Sequence, residues 1–226
     1  MKNFIKLILK FLRKSILRSS RERKLANILS HQIKLLKKTN RELNILDYGS
    51  GFEPEVIKLI LKNLKNDYKK ININCCDFYT RDQVKRLNKK FENKISFFHV
   101  DKLKLLKNKY DISICADVLH HVGVENLDNI EKILKFLNYN SKYVIIKDHY
   151  EHSKFSRQIL RFMDFIGNYY NDVSIPKKYF THEMVNNLIK RLNLKKYREI
   201  NNYSYYSNFF LFFSNPKLHF ILILKE

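Results

Sequence analysis

The stretch Ile45 to Glu55, ILDYGSGFEPE, constrains this chain more than any other segment of its 226 residues. Ile45 and Leu46 finish an apolar run, and Asp47 ends it with a carboxylate. Gly49 and Gly51 permit a tight turn with close backbone approach, and Pro54 suits a first helical turn. A buried strand that runs through a glycine turn into a helix is a cradle for a nucleotide. The spacing D-x-G-x-G departs from the dinucleotide fingerprint G-x-G-x-x-G, in which the glycines come first and a third permits helix packing. Glu53 stands two residues past the last glycine. Carboxylates beside such a loop repel pyrophosphate and suit a cationic ligand. The bland alternative is a plain strand-to-helix turn.

Beyond this loop, helices and strands alternate. A helix is expected over Ser20 to Lys38, then strands at Leu43 to Asp47, Ile71 to Cys76, Ile95 to Val100, Tyr110 to Ala116 and Lys142 to Lys147. Helices over Pro54 to Lys65, Arg81 to Lys90 and Asn126 to Leu137 separate them. Glu151 to Tyr170 reads as one or two helices and Thr181 to Leu192 as another, with Thr181 as N-cap. Two long strands, Lys195 to Tyr206 and Leu218 to Lys225, follow as an antiparallel pair. The pattern predicts an α/β, doubly wound, Rossmann-like fold: a mostly parallel seven-stranded sheet with an antiparallel terminal strand and helices on both faces. Ligands in that architecture sit beyond the carboxyl ends of the strands.

The length fits one domain, with no Pro/Gly/Ser-rich hinge to divide it. Residues 1–18, MKNFIKLILKFLRKSILR, form a basic amphipathic helix ahead of a 19–226 domain, with 150–180 as a substrate-cap insertion. The helix is too short and too charged to span a bilayer, and no small-residue cleavage site follows it. It suits either an anionic membrane surface or a seat on the domain. The aromatic run NFFLFFSNP near the end is core filling or a second apolar patch. A formal charge of +22 points toward nucleic acid or anionic membrane. That signal is discounted here because the whole chain is rich in Lys, Asn, Ile, Phe and Tyr and poor in Gly, Pro and Trp, as AT-rich coding would produce. Cys75, Cys76 and Cys115 give no metal-ligand spacing and no obvious disulfide, so a cytoplasmic compartment is expected and no metal is assigned.

Taken together, the glycine loop, the segment ICADVLHHV (Ile114 to Val122), VIIKDHY (Val144 to Tyr150) and RFMD followed by GN (Arg161 to Asn168) resemble class I S-adenosylmethionine-dependent methyltransferases of bacteria. The ligand of that family carries an ammonium and a sulfonium, which matches the acidic loop. The resemblance implies a cofactor site at Asp47, Gly49, Ser50, Gly51, Asp77, Phe78, Asp101 and Asp117. Asp77, ending the second strand, is placed to accept both ribose hydroxyls, or alternatively to cap the following helix. Asp101 falls where the family puts a polar group near adenine.

His120, His121, His149 and Asp117 are the catalytic candidates, an imidazole serving as general base near working pH. Lys147, Asp148, Arg161, Asp164 and Asn168 are candidates for the acceptor wall. An Arg161–Asp164 ion pair is the structural alternative for two of them. Methyl transfer asks mainly that nucleophile, methyl and sulfur lie in line.

The resemblance therefore implies methylation of a small-molecule, glycan or lipid-linked acceptor at oxygen, either in the cytoplasm or at the inner membrane surface. An Asn-Pro-Pro-aromatic tetrad is missing after the fourth strand, where Ala116, Asp117, Val118 and Leu119 stand. That counts against methylation of exocyclic nitrogens. A ribose 2'-O RNA methyltransferase, with Asp117, Lys147 and Glu199 in its Lys/Asp/Lys/Glu set, is the second reading. A non-catalytic scaffold of the same fold is the third.

Overall fold

A computed structural model describes residues 19–52, 54–91, 95–105, 109–168, 173–201, 203 and 215–226. The expected helix over 1–18, the carboxylate of Glu53, most of the aromatic run and the side chain of Asn168 lie outside the described residues.

Helix α1 (Ser19–Leu36) leads into β1 (Glu42–Tyr48), α2 (Glu55–Leu64), β2 (Lys70–Asp77), α3 (Arg81–Lys90), β3 (Ile95–His99) and a 3-10 turn over Val100–Leu105. Strand β4 (Tyr110–Ala116), α4 (Leu119–Gly123), α5 (Leu127–Asn140) and β5 (Ser141–His149) follow. The chain finishes with α6 (Lys154–Asn168), α7 (His182–Arg191), β6 (Lys195–Asn201), a 3-10 turn over Pro216–Leu218 and β7 (His219–Lys225). Seven strands form one sheet in the order β3-β2-β1-β4-β5-β7-β6. Strands β1 to β5 pair in parallel, and β7 enters antiparallel between β5 and β6. The expected α/β sheet with its antiparallel terminal strand is the sheet observed.

Both faces of the central strands are apolar, as burial on two sides requires. Along β5 and β7, Ile145, Ile221 and Ile223 turn to the core under α1 and α2, while Val144, Ile146, Phe220, Leu222 and Leu224 turn to the core under α5 and α7. That alternation is the two-residue period of a strand serving two layers. Leu29 and Ile33 of α1 are fully buried against this first layer, each contributing roughly 1.5–3 kcal/mol. They fix α1 over the sheet and with it the position of Arg21 near its start. Thr80 caps α3 in a reciprocal box with Gln83, and the Thr181 hydroxyl accepts from the Met184 amide, as expected.

One boundary differs in a way that matters. Strand β5 is expected from the sequence to end at Lys147, which would put Asp148 and His149 in a loop above the sheet. It continues to His149, because β7 supplies a second row of partners: Lys147 faces Ile221, Asp148 faces Phe220 and His149 faces His219. These three polar side chains are therefore rooted in the sheet, and all are buried.

Among the described residues no helix is long and apolar enough to cross a membrane. The three cysteines are buried free thiols.

Candidate functional site

The carboxyl ends of β1, β2, β4 and β5 converge on one edge of the sheet, and the candidate residues sort there into two halves.

On the β1/β2 side, the loop after β1 is closed onto its neighbour by hydrogen bonds from the Gly49 and Ser50 amides to the Cys76 carbonyl, at 2.8 and 3.2 Å. Gly49 and Gly51 both take positive φ, +75° and +67°, a region costly for any residue with a Cβ. At Gly49 a Cβ would also lie 2.3 Å from Cγ2 of Val118, at the start of α4, so the glycine is demanded twice over.

Asp77 takes the Gly51 amide on one carboxylate oxygen at 2.8 Å and the Phe78 amide on the other at 2.7 Å. It does not cap α3, since Thr80 does. Each of its oxygens retains a further acceptor position. Asp47, in the middle of the sheet, is buried, and desolvation followed by the nearby Asp77 charge raises its carboxyl to about 8. A carboxylate held in this way is stabilised by any cation that enters.

Tyr79 locks the loop from below: its hydroxyl lies 2.6 Å from Ser50 Oγ and donates to the Gly51 carbonyl at 2.5 Å. The Ser50 hydroxyl is thus turned toward the protein. Phe78 presents a ring that is 75% exposed, edge-on to His99. Asp101 sits just beyond β3 with its carboxylate in solvent, 3.3 Å from Nδ1 of His99.

On the β4/β5 side the groups are paired, and Lys147, Asp148, His149 and His120 among them are buried. Asp117 leaves β4 with φ +58°, a strained conformation for a non-glycine residue. Its amide donates to the Lys147 carbonyl at 2.9 Å. Its carboxylate accepts from Lys147, from Arg21 of α1 and from Nε2 of His149 at 3.0 Å. Burial alone would raise this carboxyl, but the Lys147 and Arg21 charges hold it well below the usual range. Burial lowers the pKa of Lys147, opposed by Asp117. His149 is lowered by burial and by Lys147, and its Nδ1 meets Nδ1 of His219 at 2.9 Å.

His120, 1% exposed, is held through Nδ1 by Asp148 at 2.6 Å. Its Nε2 lies 3.4 Å from Asp164, close enough for charge attraction but without hydrogen-bond alignment. Burial pulls this imidazole down, and the two carboxylates overcome it and raise it to about 10. His121 stacks on His120 with ring centres 4.0 Å apart. Burial and the His120 charge depress it to about 4, and its Nδ1 donates to the Ser174 carbonyl at 3.2 Å.

Asp164 turns inward to the Tyr179 hydroxyl at 2.5 Å and toward His120, while Arg161 is exposed on α6. The Arg161–Asp164 pair is not formed. Glu199 of β6 takes Tyr150, Lys196 and Asn201 as partners. At neutral pH, then, His120 holds its proton, and His121, His149 and His219 are the neutral imidazoles of the site.

Four participants escaped the sequence reading. Arg21 lies in a helix whose charges resemble a solvated face; Tyr79, His219 and Tyr179 carry no local motif.

No protein-family model matches the chain, and no curated protein is similar to it in sequence. Solved structures are similar in fold. A S-adenosylmethionine-dependent methyltransferase from Clostridium acetobutylicum aligns over 99% of this chain and 98% of its own, with a TM-score of 0.58 at 13% identity. The 1,6-didemethyltoxoflavin N1-methyltransferase of Burkholderia thailandensis, solved with bound 1,6-didemethyltoxoflavin and S-adenosylhomocysteine, aligns over 100% of this chain and 89% of its own, with a TM-score of 0.58 at 11% identity. An O-methyltransferase family 2 protein from Planctomyces limnophilus, solved with apigenin, aligns over 97% and 65%, with a TM-score of 0.55 at 11% identity. The chain spans about half the length of several other structures that it matches. The fold is thus that of the Rossmann-like methyltransferases.

Proposed function

We propose that this protein transfers a methyl group from S-adenosylmethionine to a small-molecule, glycan or lipid-linked acceptor, at oxygen. The observation that carries the reading is the β1/β2 edge. A glycine loop in left-handed conformation stands beside a buried carboxyl, Asp47, raised to about 8, and a strand-end carboxylate, Asp77. A nucleoside with a cationic amino-acid tail answers both features: the ammonium relieves Asp47 and the ribose hydroxyls donate to Asp77. Phe78 supplies a flat apolar surface for adenine, and Asp101 and Asp117 flank the cofactor. That fold neighbours act on toxoflavin precursors or bind apigenin supports a small acceptor.

The cofactor supplies the electrophilic methyl. The protein's part is to hold the acceptor in line and to take its proton. His121, neutral and half-buried, would take that proton on Nε2, since its Nδ1 is turned to the Ser174 carbonyl; His149, whose nitrogens meet Asp117 and His219, and His120, already protonated, serve to orient. Arg161 and Asp164 belong to the acceptor side, while Lys147 and Asp148, buried in the sheet, set the charge of Asp117 and His120 behind it. The Lys147–Asp117 ion pair favours the RNA 2'-O reading, but Glu199, the third member of that set, is engaged by Tyr150 and Lys196. Residues 1–18 would rest on an anionic membrane; deleting them is expected to abolish sedimentation with anionic vesicles and leave cofactor affinity unchanged.

Calorimetric titration with S-adenosylmethionine and S-adenosylhomocysteine tests the core of the reading. Micromolar binding of both is expected. A folded protein that binds neither would overturn it and leave a scaffold.

A further inference from the structure

Near the acceptor side, three side chains from two helices converge on a common point. His120 and His121 leave α4 in sequence, and Asp164 approaches from α6; one ligand atom from each lies within 4.8 Å of the others. Nε2 of His120 is buried, and the Asp164 carboxylate at 3.4 Å, out of hydrogen-bond alignment, is the polar group that faces it among the described residues. An imidazole nitrogen in that condition is costly unless something binds it. Its 3.4 Å separation from the Asp164 carboxylate matches the edge of a tetrahedron with metal–ligand bonds of about 2.1 Å.

The surroundings are those of a metal ligand. Asp148, fully buried, takes Nδ1 of His120 at 2.6 Å, the carboxylate–imidazole arrangement that orients a ligating histidine and leaves Nε2 toward the ion. The Ser174 carbonyl holds Nδ1 of His121 in the same manner, and Tyr179 steadies the Asp164 carboxylate. The Asp164 carboxylate, which attracts the proton of His120 in the empty site, would attract a dication in its place, and binding would release that proton.

We propose that His120, His121 and Asp164 bind one divalent transition-metal ion of the zinc or ferrous class. Two imidazoles and one carboxylate suit such ions over magnesium or calcium, which prefer all-oxygen shells. Three protein ligands leave positions for a water or an acceptor oxygen. If the methyl-transfer reading holds, the ion would take the place of His121 in activating the acceptor, lowering the pKa of a coordinated hydroxyl so that its proton leaves to solvent. The site itself does not depend on that reading. The rival account is a salt bridge in which a protonated His120 ties α4 to α6.

The test uses the full chain, free of affinity tags and stripped with chelator, without cofactor. Calorimetry with Zn²⁺ and visible absorption with Co²⁺ are expected to show one equivalent bound. Zinc X-ray absorption on the parent protein is expected to report two imidazoles at about 2.0–2.1 Å. His121→Gln and Asp164→Asn each weaken binding at least tenfold, and Asp148→Asn, which acts through His120, weakens it roughly 10–100-fold. His31→Gln, on the exposed side of α1, leaves it unchanged. Failure to saturate, fewer than two imidazoles, or undiminished binding in His121→Gln and Asp164→Asn would overturn the site in favour of the salt bridge. Metal binding without cofactor binding, or the reverse, separates this proposal from the previous one.

Discussion

The two halves of the strand-end edge handle charge in opposite ways. On the β1/β2 side, Asp47 is buried without a cation and its carboxyl is raised to about 8. On the β4/β5 side, Asp117 is largely buried, its side chain 20% exposed, but surrounded by Lys147, Arg21 and His149, and its carboxyl is held well below the usual range. Burial acts on both in the same direction, so the difference lies entirely in the partners. One half is destabilised until a cation arrives; the other is already complete and stabilises the fold.

Lys147→Met should break the completed half most severely. It leaves Asp117 with one cation fewer in a buried site, costing about 3–5 kcal/mol by urea unfolding. A loss under about 1 kcal/mol would show that Arg21 and His149 suffice.

Gly49→Ala carries the comparison to the other side, where one residue does stabilise the fold. Left-handed strain plus the 2.3 Å approach to Val118 should cost about 2–4 kcal/mol. Gly51→Ala has strain but open space and should cost about 1–2 kcal/mol. Equal costs would mean that Val118 yields.

Asp77→Ala should leave the unliganded fold nearly as stable while weakening S-adenosylmethionine by about 1–3 kcal/mol in calorimetry. Parent-like affinity would misplace the ribose.

The pH signatures of the halves should run in opposite directions. Asp47 binds its proton more tightly in the folded chain than in the unfolded one. Its contribution to stability is therefore present below about pH 4 and is lost as pH rises toward about 8. Cofactor binding, which needs the carboxylate, should strengthen over the upper part of that range by at most about tenfold per pH unit and level off above it. Asp47→Asn should flatten both slopes. Asp117 contributes stability at neutral pH that is lost as pH falls below about 4.

The smallest effect is expected from Phe78→Ala. With the ring 75% exposed, stability should stay within about 0.5 kcal/mol, while cofactor affinity drops by about 1 kcal/mol if the ring stacks on adenine.

The same contrast governs what could be read from the chain. The glycine half is local: strand, turn and helix start are consecutive, and Asp47, Gly49 and Gly51 announce themselves by spacing. The alternation of periods likewise gives the strands and most helix limits. The other half is assembled from α1, β4, β5, α6 and β7, and no short pattern ties Arg21 to Asp117 across 96 residues or His149 to His219 across 70. The extension of β5 was missed for the same reason. Asp148 and His149 look like the start of a loop until an antiparallel neighbour supplies their backbone partners. Individual histidines in DVLHH were visible as candidates, but their charge states depend on Asp148 and Asp164, which only the fold brings to them.

The placement of β7 also sets an order of events during synthesis. It lies between β5 and β6 in space yet follows both along the chain. The interval from His149 to His219 is 70 residues, which at 5–20 residues per second takes roughly 4–14 s to translate. Throughout that time the glycine loop can already be formed, whereas β5 presents an open hydrogen-bonding edge, with the apolar Val144 to Ile146 behind it, to any passing strand. The nascent chain is most vulnerable to mispairing at the strand that carries Lys147 and Asp148, and a chaperone acting on it would have its window there.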